Sequence, residues 1–254
     1  MEVNRDGLPG LLASGQWVDL SYDFSDRTIY WPNNPAGFRL DTQFKGRTGA
    51  GFYYESYAFY APEHGGTHLD APIHFAEGKW AVDEIPVERL TGSAVVIDVS
   101  AKCAANPDYQ VSTQDVLDWE KLEGEVPQDV MLFFRTGWGT YYTDAAKYLG
   151  TSLKGDSGIA NLHFPSVGPG LAEWLVKYRK IKALGVDVAS VDYGQSKDFK
   201  THQILYRENI LGFENLANLD KLPAKGAYIV ALPMKIKKGS GGPLRVIAWL
   251  PANP

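Results

Sequence analysis

The 254 residues include five histidines, and three of them fall within one segment: His64-Gly65-Gly66-Thr67-His68-Leu69-Asp70-Ala71-Pro72-Ile73-His74-Phe75. Imidazole nitrogens and a carboxylate are donors that Zn²⁺, Mn²⁺ or Fe²⁺ accept without any sulfur ligand. A helix would put His64 and His68 on one face, but Gly65, Gly66 and Pro72 oppose a continuous helix. In an extended chain side chains alternate between faces, so the even-numbered His64, His68, Asp70 and His74 can share one. A polar turn would account for a single histidine. Three with an aspartate point to a bound metal, and the spacing leaves the reaction open.

Such a cluster needs a frame, and the rest of the chain supplies the signals for one. Residues 8–14 predict a short helix. Residues 17–22 alternate and predict a strand, and 31–37 is a loop by its turn residues. The β-branched run 95–99 and the apolar run 130–135 predict buried strands. Ser112 or Thr113 starts a helix, with Asp115 in its first turn. Residues 141–149 read as helical, and Pro169 opens another helix. Residues 181–191 begin and end like a strand and lead into a turn at Gly194. Residues 202–209 read as helical, and 228–232 and 244–250 as late strands. Strands alternate with helices, so the expected class is α/β, a single domain over residues 1–254 with a mixed sheet flanked by helices.

Bulk properties exclude several function classes. A formal charge of −5 gives no basic excess for nucleic acid, and no run reaches the length of a membrane span. Lys235, Lys237 and Lys238 form the densest basic cluster, which a solvated strand end explains. Cys103 is the only cysteine, which rules out a disulfide within the chain and reads as a small core residue. Residues 1–15 lack the basic start and long apolar centre of a secretory signal, so a cytoplasmic location is expected.

The stretch from His64 to Phe75 resembles the His-x-Gly-Thr-His-x-Asp-x-Pro-x-His-Phe signature of the putative-cyclase family, which includes bacterial kynurenine formamidases and isatin hydrolases. Further landmarks follow in order: Val191-Asp192-Tyr193-Gly194-Gln195-Ser196, His202, Phe213-Glu214-Asn215-Leu216, Leu219 to Pro223, Leu232-Pro233-Met234 and Gly239 to Arg245. The resemblance implies that His64, His68 and Asp70 hold a first metal ion. It also implies that Asp70 bridges to a second ion held by His202 and Glu214, and that His74 transfers protons. Residues 216–226 are similar to the isatin-hydrolase branch, for which the resemblance implies one manganese ion and no carboxylate at the place of Glu214. The chain therefore joins features of both branches, and one or two ions of zinc or manganese remain open.

The implied function is metal-assisted hydrolysis of an amide, either an aryl formamide such as N-formylkynurenine or a cyclic amide such as isatin. Metal-activated water would attack, with His74 as general acid and base. The partner implied is a small aromatic substrate, and the assembly a homodimer or homotetramer. Trp31, Trp80 and Gln195 are the candidate substrate contacts; Phe38, Phe52, Tyr53 and Tyr54 are further aromatic candidates that core packing also explains. A lactone hydrolase of the same family is an alternative. Two other classes compete: a non-haem iron oxygenase built on His68, Asp70 and His202, and a closed, non-catalytic metal module. The oxygenase reading leaves His64, His74 and Glu214 without a role.

Overall fold

The computed structural model describes residues 7–252; Met1–Asp6, part of the stretch read for a leader, lie outside the described residues. Its elements, in order, are α1 (Gly7–Ser14), β1 (Gln16–Asp19), β2 (Arg39–Arg47), β3 (Tyr53–Tyr60), β4 (His68–Asp70), β5 (Thr91–Asp98), α2 (Ser100–Ala105) and β6 (Gln110–Val111). There follow α3 (Thr113–Glu123), β7 (Met131–Arg135), α4 (Ala145–Leu149), α5 (Gly155–Ala160), β8 (Ser166–Val167), α6 (Pro169–Tyr178), β9 (Ala183–Val186), α7 (Lys200–Arg207), β10 (Leu211–Glu214), β11 (Lys225–Pro233) and β12 (Gly241–Leu250).

Eight strands form one mixed sheet in the order β1-β12-β11-β5-β7-β9-β10-β4, and β4 also pairs with β12. That last pairing closes the sheet into a barrel. β5, β7, β9 and β10 are parallel neighbours, as the helices between them require. The other pairings are antiparallel. Both faces of the parallel strands are buried, which is why 95–99 and 130–135 read as unbroken apolar runs. Ala94, Val96, Met131 and Phe133 point into the barrel with Leu69, Phe213, Ile229 and Val246. Their neighbours Val95, Ile97, Leu132 and Phe134 join Val116, Leu171, Leu175 and Leu205 of α3, α6 and α7 in the outer core.

Local chemistry explains the helix starts. Ser112 and Asp115 form a reciprocal capping box at α3, and Pro169 occupies the first turn of α6. Cys103 lies in the outer core, where burial pushes its thiol up to about 12. Some expected elements are shorter. The strand expected over 17–22 ends at Asp19, because the chain then leaves the sheet and Tyr22 donates its N–H to Thr67 Oγ1 at 2.9 Å. The strand expected over 181–191 is only Ala183–Val186, and the helix expected over 141–149 is the 3₁₀ turn Trp138–Tyr141 followed by α4. The hairpin β2–β3 lay outside the expectations; it forms its own two-stranded sheet, exposed along both strands.

Candidate metal centre

The strand that closes the barrel is only three residues long, and two of them are His68 and Asp70. Two residues apart, they share one face, while Leu69 between them is buried in the barrel core. On one side Glu214 of β10 is the register partner of His68, and on the other Gly241 of β12 is the partner of Asp70. Cross-strand neighbours are natural contacts, so the pairing itself brings Glu214 to His68. From above, α7 presents His202 and, one turn on, Tyr206. His74 ends the 3₁₀ turn Pro72–His74.

Even-numbered alternation thus holds for His68 and Asp70 alone. His64 reaches the cluster through the Gly65-Gly66 turn, and its ring stacks on His74 at 3.8 Å between centroids. At Gly65, with φ +150°, a Cβ would lie 2.1 Å from the Tyr30 ring, so both the backbone and the space demand glycine.

The donors converge closely. His68 Nε2 is 3.2 Å from Asp70 Oδ1 and 3.4 Å from Glu214 Oε2. His202 Nε2 is 3.4 Å from Asp70 Oδ2 and 3.3 Å from Glu214 Oε1. His64 Nδ1 is 2.7 Å from Asp70 Oδ1. Each carboxylate therefore turns one oxygen toward His68 and the other toward His202. Ligands held about 2.0–2.2 Å from a common tetrahedral ion stand about 3.4 Å apart, which the four separations at His68 and His202 match; the 2.7 Å contact of His64 Nδ1 with Asp70 Oδ1 is a hydrogen-bond distance instead.

The outer hydrogen bonds decide what the inner atoms can do. His68 Nδ1 donates to the Gly66 carbonyl at 2.9 Å, and His202 Nδ1 donates to Asp192 Oδ2 at 2.5 Å. In the neutral rings each Nε2 is then a bare lone pair facing carboxylate oxygens. His68 Nε2 is fully buried and makes no hydrogen bond. Lone pairs that converge from four sides need a cation, and acceptors held from behind are how proteins orient metal ligands. The donor set of imidazoles and carboxylates fits zinc or manganese.

Electrostatics agree. Burial opposes a charge on His68, but Asp70 and Glu214 outweigh it and raise the ring to about 9. Burial likewise opposes charge on His202, yet Asp192, Asp70 and Glu214 hold it well above its usual value. Burial alone would raise Asp70; the histidines around it bring its carboxyl well below the usual range. The pull these carboxylates exert on a proton they exert equally on a metal ion. His74 goes the other way: burial, reinforced by the neighbouring imidazoles against Asp70, lowers it to about 3, so it is neutral at physiological pH.

A cavity of about 250 Å³ opens above this cluster. Ile29, Trp31, Phe75 and Phe199 wall it, and Asn34, Ser190 and Asn215 supply polar edges. Of the three expected substrate contacts, Trp31 lines the cavity. Trp80 does not: it packs against the barrel core, with its backbone bonded to Ile73 and Asn209. Gln195 does not either, because its side chain turns outward to the Leu162 carbonyl and His163. Phe52, Tyr53 and Tyr54 belong to the hairpin. Asp192, legible in the sequence only as part of a family landmark, holds His202, and sequence reading missed Tyr206, which donates to Asp70 Oδ2 at 2.7 Å. A signal for Tyr206 existed, four residues after His202 on one helix face.

Comparison with known proteins places this geometry. The family model described as "Putative cyclase" matches residues 18–193. The chain belongs to that family. It is 37% identical to an isatin hydrolase of Roseibium aggregatum over 197 residues, which is 74% of this chain and 72% of that one. It is 28% identical to a kynurenine formamidase of Bacillus thuringiensis over 244 residues, 93% and 98% of the two chains. Its fold superimposes on a crystal structure of an isatin hydrolase bound to the product analogue thioisatinate, with a TM-score of 0.87, 31% identity and 97% of each chain covered. With these relatives and this donor set, the chain is a metal-dependent hydrolase.

Proposed function

We propose that the protein hydrolyses the amide bond of a small, flat, cyclic aromatic amide of the isatin type. The observation that carries this reading is the aromatic cavity of about 250 Å³ directly above the imidazole–carboxylate cluster. That volume is just below the range of about 300–1,000 Å³ usual for ligand pockets, which favours a compact bicyclic substrate over a longer open-chain formamide. The isatin hydrolase matches reported above, in sequence and in structure, lend the same support.

His64, His68 and Asp70 would hold one ion, and His202 and Glu214 a second, with Asp70 shared. A divalent ion there supplies Lewis acidity and a more acidic water. The chain's own contribution is orientation and proton transfer. Trp31 and Phe199 hold the ring system, and Asn34, Ser190 and Asn215 offer polar contacts to its carbonyl edge. His74, neutral at rest, accepts a proton; its low affinity makes it a ready donor to the leaving nitrogen.

Glu214 and His202, both in the cluster, favour the formamidase reading as the runner-up. Steady-state assays of zinc- and manganese-loaded enzyme on isatin, N-formylkynurenine and an aryl lactone separate the three. Preference for the formamide by kcat/KM would overturn the cyclic-amide reading. Elemental analysis decides between zinc and manganese, and one ion per chain would remove the second site.

Self-association as a homodimer or homotetramer is part of the proposal. The β2–β3 hairpin supports it: Leu40, Phe44, Phe52, Tyr53, Tyr54, Tyr57, Phe59 and Tyr60 are all exposed. An isolated two-stranded hairpin is marginal in water, and eight half-exposed side chains offer roughly the 800 Å² per partner of a standard interface. Light scattering on the parent and a Phe52→Ser, Tyr54→Ser variant tests this; a monomeric parent would refute it. A cytoplasmic location belongs to the same proposal and is tested by cell fractionation. Among the described residues no helix is long and apolar enough to cross a membrane.

A further inference from the structure

Two polar side chains in the cavity wall carry hydrogens that no protein atom accepts. Ser190 and Asn215 line the cavity, yet only 3% and 2% of their surface is exposed. Ser190 Oγ accepts the Asp192 N–H at 3.2 Å, and among the described residues its own proton meets no acceptor. Asn215 is held at three points. Its N–H donates to the Val188 carbonyl at 2.9 Å, its carbonyl accepts from Thr67 Oγ1 at 2.7 Å, and its Oδ1 accepts from the Tyr148 hydroxyl at 2.9 Å. The other neighbour of that hydroxyl, the Asp187 carbonyl, is farther off at 3.2 Å. With the amide oxygen engaged from behind, the NH₂ group turns the other way, and it too meets no protein acceptor among the described residues.

The frame around this pair is one piece. The parallel pairing of β9 and β10 continues past both strands, through Leu216 N–H to the Val186 carbonyl at 3.0 Å and Asn215 N–H to the Val188 carbonyl. Val191 then gives its N–H to Glu214 Oε1 at 2.8 Å. The segment carrying Ser190 is thus bonded on either side of it to Glu214 and Asn215. Tyr148 of α4 is fully buried and does not line the cavity, so its hydroxyl reaches the site only through Asn215. Buried donors in folded proteins have acceptors, and where the protein supplies none a ligand must. No lysine or arginine lines the cavity, so the acceptor that suits these two neutral donors is a carbonyl oxygen. The carbonyl to be cleaved must face the imidazole–carboxylate cluster, which leaves the pair for a second one.

We propose that Ser190 and Asn215 are a specificity-determining pair that takes the second carbonyl oxygen of a cyclic α-keto amide, and that Tyr148 is the positioning residue that holds the Asn215 amide for it. The proposal rests on the cyclic-amide reading above and narrows it to rings that carry a carbonyl beside the amide.

Isatin and oxindole test this, because they share one bicycle and differ only at that position: a carbonyl in isatin, a CH₂ in oxindole. KM and kcat for isatin and the inhibition constant of oxindole are measured on the metal-loaded full chain, with metal content checked by elemental analysis. Ser190→Ala and Tyr148→Phe should each raise KM for isatin about 3–10-fold and leave kcat within about twofold, the pattern of a lost binding contact. The oxindole constant should stay within about twofold of the parent's, since that ring has no oxygen for the pair to hold. Tyr148→Phe should add nothing to Asn215→Ala on isatin, a coupling that a merely structural tyrosine would not show. Ser190→Ala removes only an oxygen and keeps the test decisive should Tyr148→Phe fold poorly. Parent-like KM for isatin in Ser190→Ala, or equal weakening of both compounds, would overturn the proposal. A parent that does not hydrolyse isatin would instead fail the cyclic-amide reading itself, before any variant is made.

Discussion

Replacing Asp192 with asparagine offers a demanding test of how the centre is held together. Four donors converge on this carboxylate. Oδ1 accepts from Thr201 N at 3.0 Å and Ser196 Oγ at 3.2 Å; Oδ2 accepts from His202 N at 3.1 Å and His202 Nδ1 at 2.5 Å. Asparagine keeps the shape but has only one oxygen, so its NH₂ must face one of these pairs. If it replaces Oδ2, His202 can keep a hydrogen bond only by moving its proton to Nε2, where it would point a donor at Asp70 and Glu214. If it replaces Oδ1, the N–H of Thr201 at the start of α7 is stranded in the interior. Phe199 offers no side-chain cap there. The first outcome costs about 10–100-fold in metal affinity, and the second leaves a buried donor unmet at about 1–3 kcal/mol. For a chain of this size the latter lowers Tm by roughly 2–12 °C. Chelator competition and thermal melting of metal-free protein measure the two. A variant that binds metal within about threefold of the parent and melts within about 1 °C of it would refute the account of Asp192 as the joint anchor of His202 and α7.

Three further outcomes are expected. His74→Ala should retain its metal by elemental analysis and lose about 10²–10⁴-fold in turnover; nearly full rate would remove His74 from proton transfer. Gly212→Ala places a Cβ 2.2 Å from the Tyr206 hydroxyl and should cost about 1–3 kcal/mol in chemical denaturation. Adding Tyr206→Phe removes the clashing oxygen and should recover part of that loss, which an unrelated strain would not permit. Metal removal should change the pH dependence of stability. His68 is raised from 6.5 to about 9, so its contribution is complete below 6.5 and lost as pH rises through 9. Asp70 and Asp192 are lowered, so theirs is present above the unfolded value and lost in acid. Metal-free protein should therefore melt lower at pH 9 than at pH 6.5, and the loaded protein should resist that loss because the ion takes the place of the protons. A flat metal-free profile over this range would contradict the assignment.

The unequal legibility of fold and site has physical reasons. The runs at 95–99 and 130–135 were legible because strands buried on both faces must be apolar throughout, and the starts of α3 and α6 because a capping box and a first-turn proline are local. The β2–β3 hairpin left no such trace: with both faces exposed, Arg39 to Arg47 need not alternate. The strand expected to run to 191 stops at Val186, since the following loop must turn to give the Val191 N–H to Glu214 Oε1 at 2.8 Å and Asp192 to His202.

The site divides along the same line. His64, His68, Asp70 and His74 crowd into one segment, and chemistry alone singles them out, whereas His202 and Glu214 are reached only through the resemblance. The residues that hold them from behind, Asp192 and Tyr206, are common types far from that segment. Tyr206, one turn after His202, carries a local signal, but what Asp192 holds shows only when the barrel closes. Closure occurs at β4, and a strand of three residues bonded on both edges has no freedom of register. A one-residue slip there would send His68 and Asp70 into the barrel core and turn Leu69 outward. The burial of Leu69 against Phe213 and Val246 is therefore what sets the metal ligands, and an apolar core residue carries as much of the site's geometry as the histidines on either side of it.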